Sequence, residues 1–207
     1  MKEVIILGYS GHAYVLCDIF LSMNWKVKAY CESEEKNQNP FKLAYWGHED
    51  KEEVIQKMKG NNWFVGIGNN HIRKKLTLSL MEKLNSNPCK AIHQNASVSS
   101  TSTIGDGTMI GDGAIINACS KIGAGVICNT QVVVEHECTV GDFSHIAPGA
   151  VLCGNVTIGE NSFIGARTVI KEGVKIGDNV TIGAGTVVIS NIPSNSKIVG
   201  NPQRYLK

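Results

Sequence analysis

The sequence has little net charge and no long apolar run. Lysine and arginine together number 20 and aspartate and glutamate 18, so the formal net charge of the 207-residue chain is +2. A balance this close to neutral argues against a partner made of nucleic acid or acidic lipid. No apolar stretch reaches the length needed to cross a bilayer, so we expect no membrane insertion.

Zinc-like cysteine spacing is also absent. The chain has seven cysteines, an odd number, and no two of them are spaced as C-x-x-C. Reduced cysteines in a cytoplasmic protein without a bound metal are therefore a simpler interpretation than a disulfide framework. The first residues, MKEVIILGYSGHAYV, contain a short apolar stretch that Gly8 and Gly11 interrupt. This pattern predicts a buried first strand and not a signal peptide.

Glycine and tryptophan divide the chain into two halves. Of the 22 glycines, 6 lie in residues 1–97 and 16 in residues 98–207, whereas all three tryptophans precede residue 98. Such a change in composition indicates a domain boundary. We predict a first domain over residues 1–90 and a second domain, with a C-terminal tail, over residues 91–207.

The first half alternates short apolar runs with helical segments. This order is typical of a small Rossmann-like α/β unit with a parallel sheet. Backbone amides after the first strand, in GYSGHA, suit a phosphate group, although the full G-x-G-x-x-G pattern is absent. The predicted elements are strands at 4–8, 26–32 and 63–68 and helices at 13–23, 48–60 and 69–85.

The second half carries a six-residue repeat. A branched aliphatic residue recurs at every sixth position, with Cys128 as the single departure, and glycine often follows, as in IGDGTM and IGENSF. Sixteen consecutive positions with a single departure indicate a repeat architecture. The positions are Val98, Ile104, Ile110, Ile116, Ile122, Cys128, Val134, Val140, Ile146, Leu152, Ile158, Ile164, Ile170, Ile176, Ile182 and Val188.

A period of six is neither the 3.6 of a helix nor the two of a plain strand. It fits one short strand and one turn, so that three hexads close a triangular coil of about eighteen residues, and the coils stack ~4.8 Å apart. The aliphatic residue points into the prism, and glycine, Asn or Asp occupies the corners. The predicted fold class is therefore an α/β Rossmann-like domain followed by a parallel β-helix.

These residues resemble one family. The hexads are similar to the left-handed parallel β-helix of the hexapeptide-repeat acyltransferases, and the handedness is taken from that resemblance, against the usual crossover preference. Three segments narrow the resemblance to bacterial sugar acyltransferases of the PglD/NeuD type: GYSGHA, VGIGNNHIRKK and VICNTQVVVEHECTV. Within this type, the chain most resembles the UDP-4-amino-sugar N-acetyltransferase of bacillosamine synthesis. The resemblance covers essentially the whole chain. It implies a homotrimer, with acetyl-CoA between adjacent β-helices and a nucleotide sugar on the N-terminal domain.

The resemblance also implies a catalytic group. The family's base falls on His136, and an imidazole suits proton removal because its pKa lies near neutrality. Glu137 matches the acid that orients the base, although spacing alone does not choose between Glu135 and Glu137. Gly154 matches a position whose backbone N–H can face the thioester oxygen. On the residues alone, His136 is equally well explained as a surface corner residue.

Further positions follow from the same resemblance. Glu32 and Ser33 stand where the family has two aspartates that grip the nucleoside, and because Ser33 has no carboxylate, the donor nucleotide stays open. Asn129 matches an active-site asparagine, although asparagines also satisfy backbone groups inside such coils. The implied acetyl-CoA contacts are His145, Gly154, Ala166 and Ala184, and the remaining implied nucleotide-sugar contacts are Ser10, Gly11, His12 and Gly68.

The leading prediction is an acetyl-CoA-dependent N-acetyltransferase. It would acetylate the 4-amino group of a nucleotide-linked, preferably UDP-linked, 4-amino-4,6-dideoxy sugar by direct transfer in a ternary complex. An O-acetyltransferase acting on a sialic acid or related sugar is the nearest alternative. A non-catalytic trimeric sugar-binding scaffold is the alternative of a different class, because hexads alone indicate only the fold.

Overall fold

The computed structural model describes residues 1–206 and begins with a parallel α/β domain. Its four strands pair in the order β3–β2–β1–β4, all parallel. The predicted Rossmann-like unit is thereby confirmed, with a fourth short strand that the sequence did not indicate. The elements are β1 (Glu3–Leu7), α1 (Gly11–Ser22), β2 (Lys26–Cys31), β3 (Ala44–Tyr45), α2 (Glu52–Met58), β4 (Asn62–Val65) and α3 (Asn70–Leu84).

The helix ends follow from local chemistry. Helix α3 begins where the side chain of Asn69 accepts a hydrogen bond from the Ile72 amide at 3.1 Å, and it ends at Asn85, whose backbone is left-handed. These are ordinary start and stop signals for a helix. Helix α2 is shorter than the predicted 48–60, because the residues from His48 to Lys51 form a turn instead of a first helical turn.

The second half is a left-handed parallel β-helix, as predicted. Nearly all of its strands are two residues long. They are β5 (Ala91–Ile92), β6 (Ser97–Val98), β7 (Thr103–Ile104), β8 (Met109–Ile110), β9 (Ile115–Ile116), β10 (Lys121–Ile122), β11 (Ile127–Cys128), β12 (Val133–Val134), β13 (Thr139–Val140), β14 (His145–Ile146), β15 (Val151–Leu152), β16 (Thr157–Ile158), β17 (Phe163–Ile164), β18 (Val169–Ile170), β19 (Lys175–Ile176), β20 (Thr181–Ile182), β21 (Val187–Val188), β22 (Lys197–Val199) and β23 (Arg204–Tyr205). Lys207, the last residue of the predicted second domain, lies outside the described residues.

The β-helix strands form three faces of a prism, with equivalent positions eighteen residues apart, as in the pairing of Val133 with Val151. The hexad residue of each strand points inward, and these side chains make one continuous apolar core. Face 1 contains β7, β10, β13, β16 and β19; face 2 contains β5, β8, β11, β14, β17, β20, β22 and β23; face 3 contains β6, β9, β12, β15, β18 and β21. We call the corners first edge (faces 1 and 2), second edge (faces 2 and 3) and third edge (faces 3 and 1).

The α/β domain packs on face 2 and on the first edge. Met109 and Ile127, which point outward from face 2, belong to the same buried cluster as α1. At the first edge, the side chain of Asn70 donates to the carbonyl oxygens of Asn161 and Ser162 at 3.2 and 3.1 Å. The interface between the two domains therefore has an apolar part, at Met109 and Ile127, and a polar part, at Asn70, and we call this interface the seam. Within residues 1–206, no helix is both long and apolar enough to cross a membrane.

Candidate active site

His136 lies at the third edge, directly after strand β12. Its Nδ1 atom is 3.1 Å from a carboxylate oxygen of Glu137. The two side chains are 60% and 65% exposed, so the imidazole is open to a substrate. A carboxylate on one ring nitrogen fixes the tautomer and leaves Nε2 free to accept a proton.

The two acids that flank His136 have different partners. Glu135 accepts a hydrogen bond from the side-chain amide of Asn117 in the preceding coil, at 2.9 Å. Glu137 has a left-handed backbone, with φ of 61°, and this conformation turns its side chain toward His136. The structure thus pairs Glu137 with the imidazole, a choice that spacing alone left open.

Gly154 lies one coil above His136, at the same edge. A β-carbon at this position would come within 2.6 Å of both Cε1 and Nε2 of the His136 ring. Glycine is therefore required for the ring to lie where it does. The amide N–H of Gly154 donates to no other group within residues 1–206, so it is free for a ligand oxygen.

His145 lies on face 2, in the seam with the α/β domain, and is 9% exposed. Its Nε2 atom is 3.4 Å from the side-chain amide of Asn129, whose Oδ1 accepts from the Thr130 amide at 2.8 Å. The amide N–H₂ of Asn129 thus faces Nε2, and this arrangement places the ring proton of His145 on Nδ1. Although His145 points outward from face 2, the docked α/β domain covers it.

His12 faces His145 across the seam, with 6.4 Å between the ring centroids. Nε2 of His12 and Nδ1 of His145 are both buried and have no hydrogen-bond partner within residues 1–206. Burial, followed by the nearby Arg73 cation, lowers the pKa of each imidazole to about 4. Both rings are therefore neutral near pH 7.

The loop after β1 is held by Glu32. Its carboxylate accepts hydrogen bonds from the amides of Tyr9 and Ser33, each at 3.1 Å, and lies 3.6 Å from the Lys36 ammonium. The hydroxyl of Ser33 also donates to this carboxylate, at 3.3 Å. Although burial opposes ionisation, these hydrogen bonds and Lys36 lower the pKa of Glu32. Glu32 therefore braces the loop that presents Ser10 and Gly11, both of which are exposed.

Gly68 lies beside a cavity of about 290 Å³ between the two domains. Phe163, which is 36% exposed, lies at the border of the part of face 2 that the α/β domain covers. Its ring packs against the ring of His145 in a T-shaped arrangement, with 5.1 Å between the centroids. Most of the residues that line the cavity are of polar type. The residues are Gly68, Asn69, Asn70, His71, Asn161, Phe163 and Thr181.

Ala166 and Ala184 occupy equivalent places at the second edge, in consecutive coils. The Ala166 carbonyl accepts from the Gly185 amide at 2.8 Å, which keeps the two coils in register. Ala184 is exposed and Ala166 half-buried. Their small side chains leave this edge open for a long, thin ligand.

The candidate residues therefore form two groups that one chain does not bring together. His136, Glu137 and Gly154 lie at the third edge, whereas the other cofactor and sugar candidates lie at the second edge, in the seam and on loops of the α/β domain. Face 3 separates the two groups. Its outward residues form an apolar stripe, in contrast to the Thr and Lys residues that point outward from face 1. The stripe consists of Ile115, Val133, Val151, Val169 and Val187.

Sequence reasoning missed three residues at the seam. Arg73 is buried and bridges the domains, and His71 and Phe163 line the cavity. The sequence alone does not show that Arg73 is buried, because it lies in the basic segment IRKK, whose composition is typical of a solvent-exposed helix surface. Its burial follows only from the packing of the two domains against each other. Within residues 1–206, no three His, Cys, Asp or Glu side chains are arranged to hold a metal ion.

Family models match both domains. The model described as the PglD N-terminal domain matches residues 3–80. The model described as bacterial transferase hexapeptide, six repeats, matches residues 155–190.

Solved structures match the whole chain. The acetyltransferase domain of PglB from Neisseria gonorrhoeae FA1090, in complex with acetyl coenzyme A, is 29% identical, with a TM-score of 0.92 and 99% of each chain covered. PerB from Caulobacter crescentus, in complex with CoA and GDP-perosamine, is 30% identical, with a TM-score of 0.93 and with 100% of this chain and 98% of that chain covered. WeeI from Acinetobacter baumannii AYE is 25% identical, with a TM-score of 0.83 and full coverage of both chains.

Proposed function

The chain belongs to the PglD/NeuD-type hexapeptide-repeat sugar acyltransferases, and from this premise we propose that it transfers an acetyl group from acetyl-CoA to the 4-amino group of a nucleotide-linked 4-amino-4,6-dideoxy sugar. Similar solved structures include a GDP-perosamine N-acetyltransferase in complex with CoA and an acetyltransferase domain in complex with acetyl coenzyme A. Residues 1–90 would hold the nucleotide sugar and residues 91–207 would carry the transfer. We propose no single nucleotide, because the Glu32 carboxylate already accepts hydrogen bonds within the loop and Ser33 supplies no second carboxylate to bind the nucleoside.

One observation carries the proposal. The His136 imidazole is exposed, is oriented by Glu137, and lies over a glycine whose amide N–H is free. Acyl transfer needs a base, an oxyanion donor and a fixed geometry between them. His136 and Gly154 supply the first two, and their places on consecutive coils of a rigid β-helix supply the third.

The residues have defined roles in the proposed transfer. Nε2 of His136 accepts a proton from the sugar amine as the nitrogen attacks the thioester carbon. The amide N–H of Gly154 stabilises the oxyanion that forms. The carbon–sulfur bond then breaks, and the imidazolium of His136 returns the proton to the departing thiolate of CoA. Glu137 stabilises the imidazolium between the two steps.

We further propose that the enzyme works as a homotrimer with a shared cleft. The apolar stripe on face 3 supports this proposal, because exposed apolar patches of this kind mark interaction surfaces. Packing around a threefold axis is heterologous, so it joins different edges of neighbouring subunits. The third edge of one subunit, with His136, would then face the second edge and seam of the next. A cytoplasmic location remains a prediction.

The direct test is thiol release from acetyl-CoA, followed with a panel of nucleotide sugars linked to UDP, GDP or dTDP. We expect turnover with a 4-amino acceptor and none with the matched 4-hydroxy sugar. Turnover only on a hydroxyl, including that of a sialic acid, would replace N-acetylation by O-acetylation. An intact trimer that turns over none of these acceptors would favour the scaffold.

A further inference from the structure

Arg73, on helix α3, is 1% exposed and donates hydrogen bonds only to neutral oxygen atoms. Its guanidinium joins three parts of the chain: the turn at Ile67 and Gly68, the beginning of α3, and the first edge of the β-helix. The contacts are Nε to the Gly125 carbonyl at 2.8 Å, Nη1 to the Ile67 and Gly68 carbonyls at 3.1 and 3.0 Å, and Nη2 to Asn70 Oδ1 at 3.1 Å and to the Phe143 and Ser144 carbonyls at 2.8 and 3.4 Å.

The charge of Arg73 has no anionic partner. Throughout residues 1–206, no carboxylate lies within salt-bridge distance of its guanidinium. Burial lowers the pKa of Arg73 to about 9, which still leaves it a cation at neutral pH. A buried charge without an ionic partner is destabilising, and an opposite charge nearby offsets this cost. A negative ligand at the neighbouring loop would provide that opposite charge.

The orientation of two peptide groups indicates where such a ligand binds. A trans peptide places its C=O and N–H on opposite sides. Because the carbonyls of Ile67 and Gly68 both point at Arg73, the N–H groups of Gly68 and Asn69 point away from it. Both residues line the cavity between the domains. Neither N–H donates to another group in the part of the chain that the structure describes.

We propose that Arg73 is a positioning residue for the nucleotide sugar. By holding the Ile67 and Gly68 carbonyls, it presents the amides of Gly68 and Asn69 to the phosphate oxygens of a nucleoside diphosphate and polarises both donors. Its bonds to Gly125 and Phe143 fix this turn relative to His145 on the β-helix. The inference rests on the proposed function, since it assigns a role toward the same substrate.

The Asn69 amide can be tested by substitution without changing Arg73. The φ angle of Asn69 is −68°, which is close to the ~−65° that proline imposes. Asn69→Pro therefore removes the N–H while keeping the backbone in place, and Asn69→Ala is the matched control because both variants lose the helix cap. Calorimetric titration uses UDP, GDP and dTDP as ligands, with acetyl-CoA as the second ligand. We expect the nucleoside diphosphate that binds the wild type to bind Asn69→Pro at least tenfold more weakly than Asn69→Ala, with acetyl-CoA affinity equal in both.

Arg73 itself is tested with Arg73→Met and Arg73→Lys. Both should weaken nucleotide binding at least tenfold, with the lysine variant closer to the wild type because it keeps the charge. Lys74→Met is the control, because Lys74 also bridges the domains, to Glu160 at 3.3 Å, but lies exposed and does not touch the turn. This variant should stay within twofold of the wild type.

The outcomes separate the inference from the proposed function. Unchanged nucleotide affinity in Asn69→Pro relative to Asn69→Ala, or in a folded Arg73→Met, overturns the role of Arg73 alone. If Arg73→Met does not fold, the Asn69 pair decides. A wild type that binds none of the three diphosphates overturns the proposed function and the inference together.

Discussion

The imidazole of His136 lies against the α-carbon of Gly154, so closely that a methyl group there would be 2.6 Å from Cε1 and Nε2 of the ring. The contact joins equivalent corners of two consecutive coils. It ties the candidate base to the candidate oxyanion donor without any intervening side chain. The position of the ring is therefore a property of the rigid β-helix and not of a mobile loop.

Gly154→Ala should displace the ring and abolish activity while leaving the fold intact. The His136 side chain is 60% exposed, so it can move outward at little cost to stability. We expect turnover to fall at least a hundredfold and the melting temperature to change by only a few degrees. Asn155→Gly is the control, because this neighbouring corner residue has a left-handed backbone that glycine also adopts. Activity retained by Gly154→Ala would contradict the assigned position of the base.

The two glutamates beside His136 should differ in their effect. Glu137→Gln removes the negative charge 3.1 Å from Nδ1, so the imidazolium loses its partner and turnover should drop at least tenfold. Glu135→Gln should change turnover by less than threefold, because Glu135 bonds to Asn117 instead. The test compares the steady-state turnover of the two variants. Equal losses of turnover would contradict the assignment of Glu137 as the carboxylate that orients His136.

The buried His145 makes stability depend on pH. Its folded pKa is about 4, set first by burial and then by Arg73 and His12, whereas an unfolded histidine titrates near 6.5. Between these values the unfolded chain binds a proton that the folded chain does not, so stability falls as the pH is lowered through this window. From pH 7 to pH 5, His145 alone should account for roughly 2 kcal/mol of lost unfolding free energy. Urea unfolding at both pH values should show a smaller loss for His145→Gln, and an equal loss would contradict the neutral, buried imidazole.

A charge on the apolar stripe should dissociate the proposed trimer. Val169 points outward from face 3 and is 39% exposed in the single chain, so Val169→Glu should leave the subunit folded. We expect sedimentation to show a monomer and the assay to show no turnover. Thr139→Glu places the same charge on an outward position of face 1 and should remain an active trimer. A trimeric Val169→Glu enzyme would show that another surface joins the subunits.

The hexads predicted the β-helix because each of them fixes which side chain enters the core, and this information is local. Ile92 extends the pattern by one hexad before Val98, the first position counted in the repeat. The environment of His145 could not be predicted in the same way. An outward position on a face is exposed or buried according to where the other domain docks, and that docking depends on Arg73 and Asn70, whose residue types carry no such signal.

The central claim is that one site is shared by two subunits, and mixed trimers test it most directly. His136→Ala and His145→Ala chains, each inactive alone, are co-expressed with different tags and purified together. If the base comes from one subunit and the seam from the next, every trimer that carries both tags has one restored site, which is about a third of the wild-type sites. Activity near this level is the predicted result, and mixed trimers as inactive as their parents would contradict the shared cleft.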